Sequence, residues 1–349
     1  MISYTIPLRS IIIHFLSVVL FSAIMPFEVC GQTGDSLVIA SIYKNALLSK
    51  ESYQNLKQIC DQAAPRELGS ENSIKAVNIF NDFLEELDCD TVFLQQFRIE
   101  TWKHLSSSLR LTSDKESELS FMVKALGPSV PTTQNGVQAQ IIEVSCMEAL
   151  RSLDEKEVKG KIVFFNNLVS NEVIEPVEGY KAVIPRLYGA NLASEKGAVA
   201  CIMRSISAIK DEYVHTGCMR YDNLSDKIPA VAISTEEADA LSDLLLLKPE
   251  QRVNLKVLSE SKEKETANVI AEIRGNEKPE EVIVIGAHID TWYNTPGAHD
   301  DGAGCVQMID VLRIMNELKI ENKRTIRIIL FMDEEMNKSG ATAYVNQYQ

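Results

Sequence analysis

The sequence predicts an α/β domain interrupted by a β-rich module. Three observations carry that expectation. Between Ser36 and Leu84, apolar residues recur at helical spacing. Residues 114–258 hold short apolar runs separated by frequent turn signals. Beyond Lys262, Ile- and Val-rich runs of strand length alternate with a loop and a helical pattern, as in a mixed or parallel sheet covered by helices.

In chain order, the first segment is a targeting pattern. Arg9 supplies a positive charge, Ser10 to Phe27 is mostly apolar, and Val29 and Gly31 stand at the −3 and −1 positions before Gln32. Residues 1–31 therefore read as a cleavable secretory signal, with an uncleaved anchor as the rival. The mature chain is expected to be soluble, off the membrane, and secreted or periplasmic. Ser36 to Cys60 carries Leu37, Ile39, Ile42 and Leu47 at helical spacing. A second helix follows Gly69-Ser70 and gathers Ala76, Val77, Phe80, Phe83 and Leu84 on one face, with Ser73 or Asn72 as its cap. Thr91 to Trp102 alternates as a strand.

Turn signals then appear at Gly127-Pro128, Val130-Pro131 and Asn135-Gly136. They introduce the apolar runs Gln140–Val144, Lys161–Phe165, Val199–Met203 and Lys227–Ile233. Two small helices, Leu192–Lys196 and Thr235–Leu246, accompany them. After Lys262 come strands Ala267–Ile273 and Glu281–Ile285 and the loop Ala287–Gly302. A helix carrying Cys305, Met308, Ile309, Leu312 and Met315 follows, then the strand Arg324–Met332. The first helices are expected to join these last strands across the insertion.

The 349 residues are 45% hydrophobic, enough for one large domain or two ordinary ones. A net charge of −14 argues against nucleic acid or an anionic membrane as partner. Beyond the signal stand Cys60, Cys89, Cys146, Cys201, Cys218 and Cys305, whose spacings match no zinc finger or CxxC motif.

Chemistry-bearing residues gather in three clusters at predicted strand ends: His288-Ile289-Asp290, Gly297-Ala298-His299-Asp300-Asp301-Gly302, and Asp333-Glu334-Glu335. Open α/β sheets bind ligands beyond the carboxyl ends of their strands, where all three clusters can meet. A histidine nitrogen and carboxylate oxygens suit zinc. Asp290 offers an acceptor for the second ring nitrogen of His288. Asp300 and Asp301 offer a bridging carboxylate for two metals. Glu334 and Glu335 offer a metal ligand and a general base. Taken singly these are ordinary features: surface pairs, a helix cap, a solvated loop. Their joint order at strand ends is far more specific.

That order, H-x-D, then G-A-x-D-D-G, then E-E, resembles the co-catalytic zinc aminopeptidase superfamily. Gly286-Ala287-His288-Ile289-Asp290-Thr291-Trp292 is similar to the carboxypeptidase Q-like form of the first motif. Pro65-Arg66, Gly69-Ser70 and Phe97-Arg98-Ile99 with Trp102 resemble the start of that family. Gly160-Lys161-Ile162-Val163, Gly197-Ala198, His215-Thr216-Gly217 and Ile228-Pro229-Ala230 resemble its inserted protease-associated domain. The likeness extends from Asp35 to Gln349.

The resemblance implies a three-layer zinc-exopeptidase sheet domain formed by residues 32–113 plus 259–349, with residues 114–258 inserted. It implies two zinc ions: His288 binds one, Glu335 the other, and Asp300 bridges them. Glu334 becomes the general base and acid, Asp290 orients His288, and Asp301 supports the bridging residue across a cis Asp300–Asp301 bond. The substrate would be a dipeptide or short peptide, and a homodimer is compatible with the family. Each zinc of the family takes one further ligand, an aspartate or a histidine, from positions past the one matched by Gln349. The expectation is therefore an incomplete ligand set and unpaired sheet edges. The rival reading is a catalytically inactive, peptidase-like binding module.

Overall fold

The structure is a computed structural model and describes residues 33–112, 119–169, 181–222 and 226–348. The expected signal segment lies outside them. Among the described residues no helix is long and apolar enough to cross a membrane. The chain divides into two compact units at Ser49/Lys50. The described part of the first is helix α1 (Thr33–Leu48), whose Leu37, Ile39 and Leu47 are exposed. Lys50, at φ −107° and ψ 1°, breaks the single run expected over Ser36–Cys60, and α2 (Glu51–Ala63) begins after it.

The second unit continues with α3 (Glu71–Glu85). Its cap is Ser70, whose Oγ accepts from the Ser73 amide at 3.0 Å; Ser73 and Asn72, the expected caps, lie inside the helix. Strand β1 (Thr91–Leu111) runs nine residues past its expected end at Trp102. The short strands β2 (Ser120–Phe121) and β3 (Val123–Ala125) follow, then β4 (Val137–Val144), α4 (Met147–Ser152), α5 (Glu155–Val158) and β5 (Ile162–Phe165). Next come α6 (Val183–Glu195), β6 (Ala200–Arg204), β7 (Ala230–Ile233), α7 (Thr235–Leu247) and β8 (Arg252–Ile273). The chain closes with β9 (Lys278–His288), α8 (Ala303–Glu317), β10 (Arg324–Phe331) and α9 (Ser339–Tyr348).

One ten-stranded mixed sheet joins these strands in the order β2-β1-β8-β4-β5-β6-β7-β3, with β10 paired to β8 and β9. β1 and β8 form a long antiparallel ribbon, from Thr91↔Glu272 to Leu111↔Val253, broken in register only between His104 and Ser106. β8 passes without a break through the expected domain boundary at residues 258/259. The strands β4, β5, β6 and β7 are parallel. Parallel neighbours need crossovers; α4 and α5 lie between β4 and β5, and α6 between β5 and β6. The segment expected to be β-rich is thus itself α/β.

Strand alternation divides the core. Ile162 and Phe164 of β5, with Ala200 and Ile202 of β6, face one apolar cluster; Val163, Phe165, Cys201 and Met203 face another. The first cluster extends to Phe80 and Leu84 of α3, Val269 and Ala271 of β8, and Leu312 of α8. β9 pairs only with β10 among the described strands, and its Val282, Ile283 and Val284 remain exposed.

The β9–β10 pair positions the candidate site. The two strands are parallel, with Phe331 opposite His288, so their carboxyl ends finish side by side. The loops that follow each strand rise from one sheet edge.

Candidate functional site

His288 is the last residue of β9, and three chain segments meet at its ring. Nε2 lies 2.9 Å from Asp300 Oδ1 and 4.0 Å from Glu334 Oε2. Nδ1 lies 3.1 Å from the main-chain oxygen of Asp290 and 3.8 Å from its carboxylate. The expected ring contact of the Asp290 carboxylate is therefore made by that residue's carbonyl. The carboxylate has other work. Its oxygens accept from the amides of Glu334 and Glu335, at 3.1 and 3.3 Å. It is 1% exposed and ties the loop after β9 to the loop after β10.

Asp301 makes a matching tie. It accepts from the His288 amide and from the Gly304 amide, both at 3.1 Å, linking the end of β9 to the start of α8. The Asp300–Asp301 peptide bond is cis. The Asp300 side chain is 72% exposed and reaches the His288 ring. Glu335 Oε2 accepts from Trp292 Nε1 at 2.8 Å, so Trp292 faces the site. His299, beside Asp300, is exposed.

The electrostatics are those of crowded carboxylates. Burial pushes Glu335 up to about 7, and the charges of Asp300 and Asp290 add to it. Burial likewise lifts Asp290 to about 6, against the pull of His288 and the two amides. Burial opposes charge on His288. The carboxylates of Asp290, Glu335, Asp300 and Asp301 outweigh it and hold the imidazole above its ordinary value.

Two holding residues were not assigned a role from the sequence. Arg66 is fully buried and donates Nε to Ile289 O at 2.7 Å, and its two terminal nitrogens to Pro296 O and Gly297 O at 2.9 Å each. It therefore fastens the loop between His288 and Asp300 from a position more than 220 residues away in the chain. Gly297, at φ 61°, completes that fit: a Cβ there would stand 2.0 Å from Thr291 Cγ2. Asp333 is fully buried at φ 67°, and its carboxylate accepts from the amides of Asn337 and Ser339, shaping the loop that presents Glu334 and Glu335. The Pro65-Arg66 dipeptide and the D-E-E run were visible in the sequence. The long-range partners that give Arg66 and Asp333 their roles were not.

A cleft of about 790 Å3 opens at this edge. Asp300, Glu335 and Trp292 line one part of it, and Lys124, Glu212 and His215 another. Asn294 holds these parts together. It donates to Val214 O at 2.9 Å and accepts from Thr216 Oγ1 at 3.0 Å.

Imidazole and carboxylate donors fit zinc by type, and a divalent cation would relieve the crowding that lifts Glu335. The thiol of Cys305 is buried with Sγ turned to His288 O at 3.0 Å. Among the described residues no three such groups converge on one ion.

The family description "Peptidase family M28" matches residues 268–349, the stretch that carries all three clusters. The chain is 32% identical to carboxypeptidase Q of Xenopus laevis over 295 residues, covering 84% of this chain and 61% of that protein. It is 28% identical to carboxypeptidase Q of Homo sapiens over 317 residues, covering 90% of this chain and 64% of that one. The chain thus spans about three fifths of the length of these relatives. Its fold superimposes on the solved peptidase M28 precursor of Shewanella amazonensis with a TM-score of 0.82 and 30% identity, covering 90% of this chain and 70% of that one. A zinc aminopeptidase from Bacillus subtilis shares the fold at a TM-score of 0.62 and 21% identity, over 85% of this chain and 64% of that one. The chain belongs to peptidase family M28.

Proposed function

We propose that this chain carries the catalytic edge of a secreted, zinc-dependent exopeptidase acting on dipeptides or short peptides. The observation that carries the reading is the meeting of three separate segments at the His288 ring, with Asp300 at 2.9 Å and Glu334 at 4.0 Å. In this reading His288 would hold one zinc and Glu335 the other, with Asp300 shared between them. When bound, the ions supply Lewis acidity to the scissile carbonyl and acidify water.

The chain's own residues do the rest. Glu334, whose side chain is half-exposed, accepts a proton from the attacking water and returns it to the leaving amine. Asp290 holds the amides of Glu334 and Glu335 in place and presents its carbonyl to His288 Nδ1. Asp301 fixes the backbone of His288 relative to the first turn of α8. Trp292 orients Glu335. Residues 114–258 act as an inserted module that walls the cleft through Lys124, Glu212 and His215.

The test uses the full-length protein. Glu334→Gln keeps shape and a metal-facing oxygen but removes the proton acceptor. It should lower dipeptide kcat by about 10³-fold or more while zinc content stays within error of wild type. Turnover near wild type would remove Glu334 from the mechanism. A wild-type protein that holds no zinc and hydrolyses nothing in a chelator-sensitive way would favour the inactive binding module.

A further inference from the structure

The loop that presents Glu334 and Glu335 is held at its tip by Asp290 and from within by Asp333. Its base depends on a residue of another strand. Loop 333–338 follows Met332 and leads into α9, and Gly340 N donates to Met332 O at 3.1 Å, so the two stems of the loop meet. Asn268 of β8 spans them. Its Oδ1 accepts from the Met332 amide at 3.0 Å, and its Nδ2 donates to Gly340 O at 2.9 Å. A main-chain N–H only donates and a main-chain carbonyl only accepts, so these partners fix which way the side-chain amide points.

Asn268 is fully buried. It stands where the ladder between β8 and β10 gives out: Leu330↔Val269 is the last pair, and the Asn268 side chain takes up the Met332 amide beyond it. An apolar residue here would deprive that amide of its acceptor inside the core. The other Nδ2 proton goes to Gln95 Oε1 at 2.8 Å, on the residue opposite in β1. Gln95 in turn donates to Ala343 O at 3.3 Å and to the Gln347 side chain, both in α9. Gln95 therefore docks α9, while Asn268 sets the gap between the loop stems. Gly340 fits that close approach: a Cβ there would stand 2.3 Å from Met332 O and 2.4 Å from Asn268 Oδ1.

We infer that Asn268 is a positioning residue for the proposed hydrolysis: by fixing both stems of loop 333–338, it sets where Glu334 and Glu335 face His288. The inference rests on the exopeptidase reading above. Glu334 Oε2 and His288 Nε2 are 4.0 Å apart and follow different strands, so the base of the loop governs their separation. A misplacement of about 1 Å at a reacting group lowers turnover by as much as about 10²-fold. Trp292 offers a view of the loop that needs no metal, because its Nε1 donates to Glu335 Oε2 at 2.8 Å.

The experiment compares three variants of the full-length protein with wild type. Asn268→Ala removes all three bonds. Asn268→Asp keeps the size and the acceptor for Met332 but turns an oxygen on Gly340 O, and serves if the alanine form does not fold. Gln95→Leu frees α9 and leaves both stems bridged. Dipeptide kcat and KM are measured on folded, zinc-saturated protein well below each Tm. Trp292 emission is measured on folded, metal-free protein, as the difference from the same background carrying Trp292→Phe. Asn268→Ala should lower kcat by about 10- to 100-fold, keep KM within about twofold of wild type, and shift the Trp292 emission. Asn268→Asp should change both in the same direction by less. Gln95→Leu should lower Tm and leave kcat and emission as in wild type.

Folded Asn268 variants with wild-type kcat and emission overturn the inference, since Asn268 then only stabilises the sheet. Equal losses in Gln95→Leu and Asn268→Ala also overturn it, because they trace the effect to the docking of α9. If wild type itself hydrolyses nothing, the exopeptidase reading fails, and the emission of the metal-free variants still decides whether Asn268 places the loop.

Discussion

Arg66→Lys separates the geometry of one side chain from its charge. Arg66 is fully buried and donates to three main-chain carbonyls, at 2.7, 2.9 and 2.9 Å, all in the loop between His288 and Asp300. A hydrogen bond to a charged group contributes about 1.5–3 kcal/mol. Lysine keeps the charge but offers a compact ammonium, which replaces about one of the three bonds and leaves two carbonyls unmet. The expected loss is about 3 kcal/mol, or a fall in Tm of about 4 °C for a chain of 349 residues. Urea unfolding of metal-free protein measures it without contribution from bound ions. Zinc titration of the folded variant should also show weaker binding, because Asp300 is reached through the loosened loop. A variant within about 0.5 kcal/mol of wild type would show that the three carbonyls are held by other contacts, and the role given to Arg66 would fall.

Two further changes test the scaffold. Glu67 is 8% exposed and accepts from the His104 amide, and burial pushes its carboxyl up to about 7. The folded state therefore holds this proton more tightly than the unfolded chain, whose ordinary value is 4.5. The contribution to stability is complete below about pH 4.5 and is lost as pH rises to about 7, an upper bound of roughly 3 kcal/mol. Glu67→Gln should match wild type at pH 5 and exceed it at pH 8 in urea unfolding; parallel pH profiles would refute the assignment. Gly304→Ala would bring a Cβ to 2.2 Å from Asp301 Oδ1 and displace the carboxylate that holds the His288 amide. The expected cost is about 1–3 kcal/mol in thermal unfolding, together with reduced zinc binding; an unchanged zinc affinity would mean that Asp301 does not position His288.

Much of the fold was legible because local periodicity and burial agree. The apolar runs at Lys161–Phe165, Val199–Met203 and Lys227–Ile233 became β5, β6 and β7, which are buried on both faces. The helical spacing after Gly302 became α8, and the run after Lys323 became β10. The ribbon of β1 and β8 was read only in part. The middle of β8, Leu258–Thr266, is polar and largely exposed, and its partners are main-chain groups of β1. Side chains in such a stretch carry no period that reports the pairing. The helix α6 begins at Val183, nine residues before its expected start, and packs Pro185, Gly189 and Ala190 into the core. Proline and glycine read locally as breakers, and tertiary packing overrode them.

The same division applies to the site. The sequence by itself marked the residues proposed to carry chemistry. His288, Asp290, Asp300, Asp301, Glu334 and Glu335 stand at strand ends because a parallel sheet presents its loops at one edge, and that edge follows from the strand pattern. It did not determine how the carboxylates of Asp290 and Asp301 are used. Only the tertiary structure shows that Asp290 spends its oxygens on the amides of Glu334 and Glu335, and Asp301 on those of His288 and Gly304. Arg66 and Asp333 also took their places there. Each acts through groups brought near it by folding, and a hydrogen-bond partner 223 residues away leaves no mark on the local sequence around Arg66.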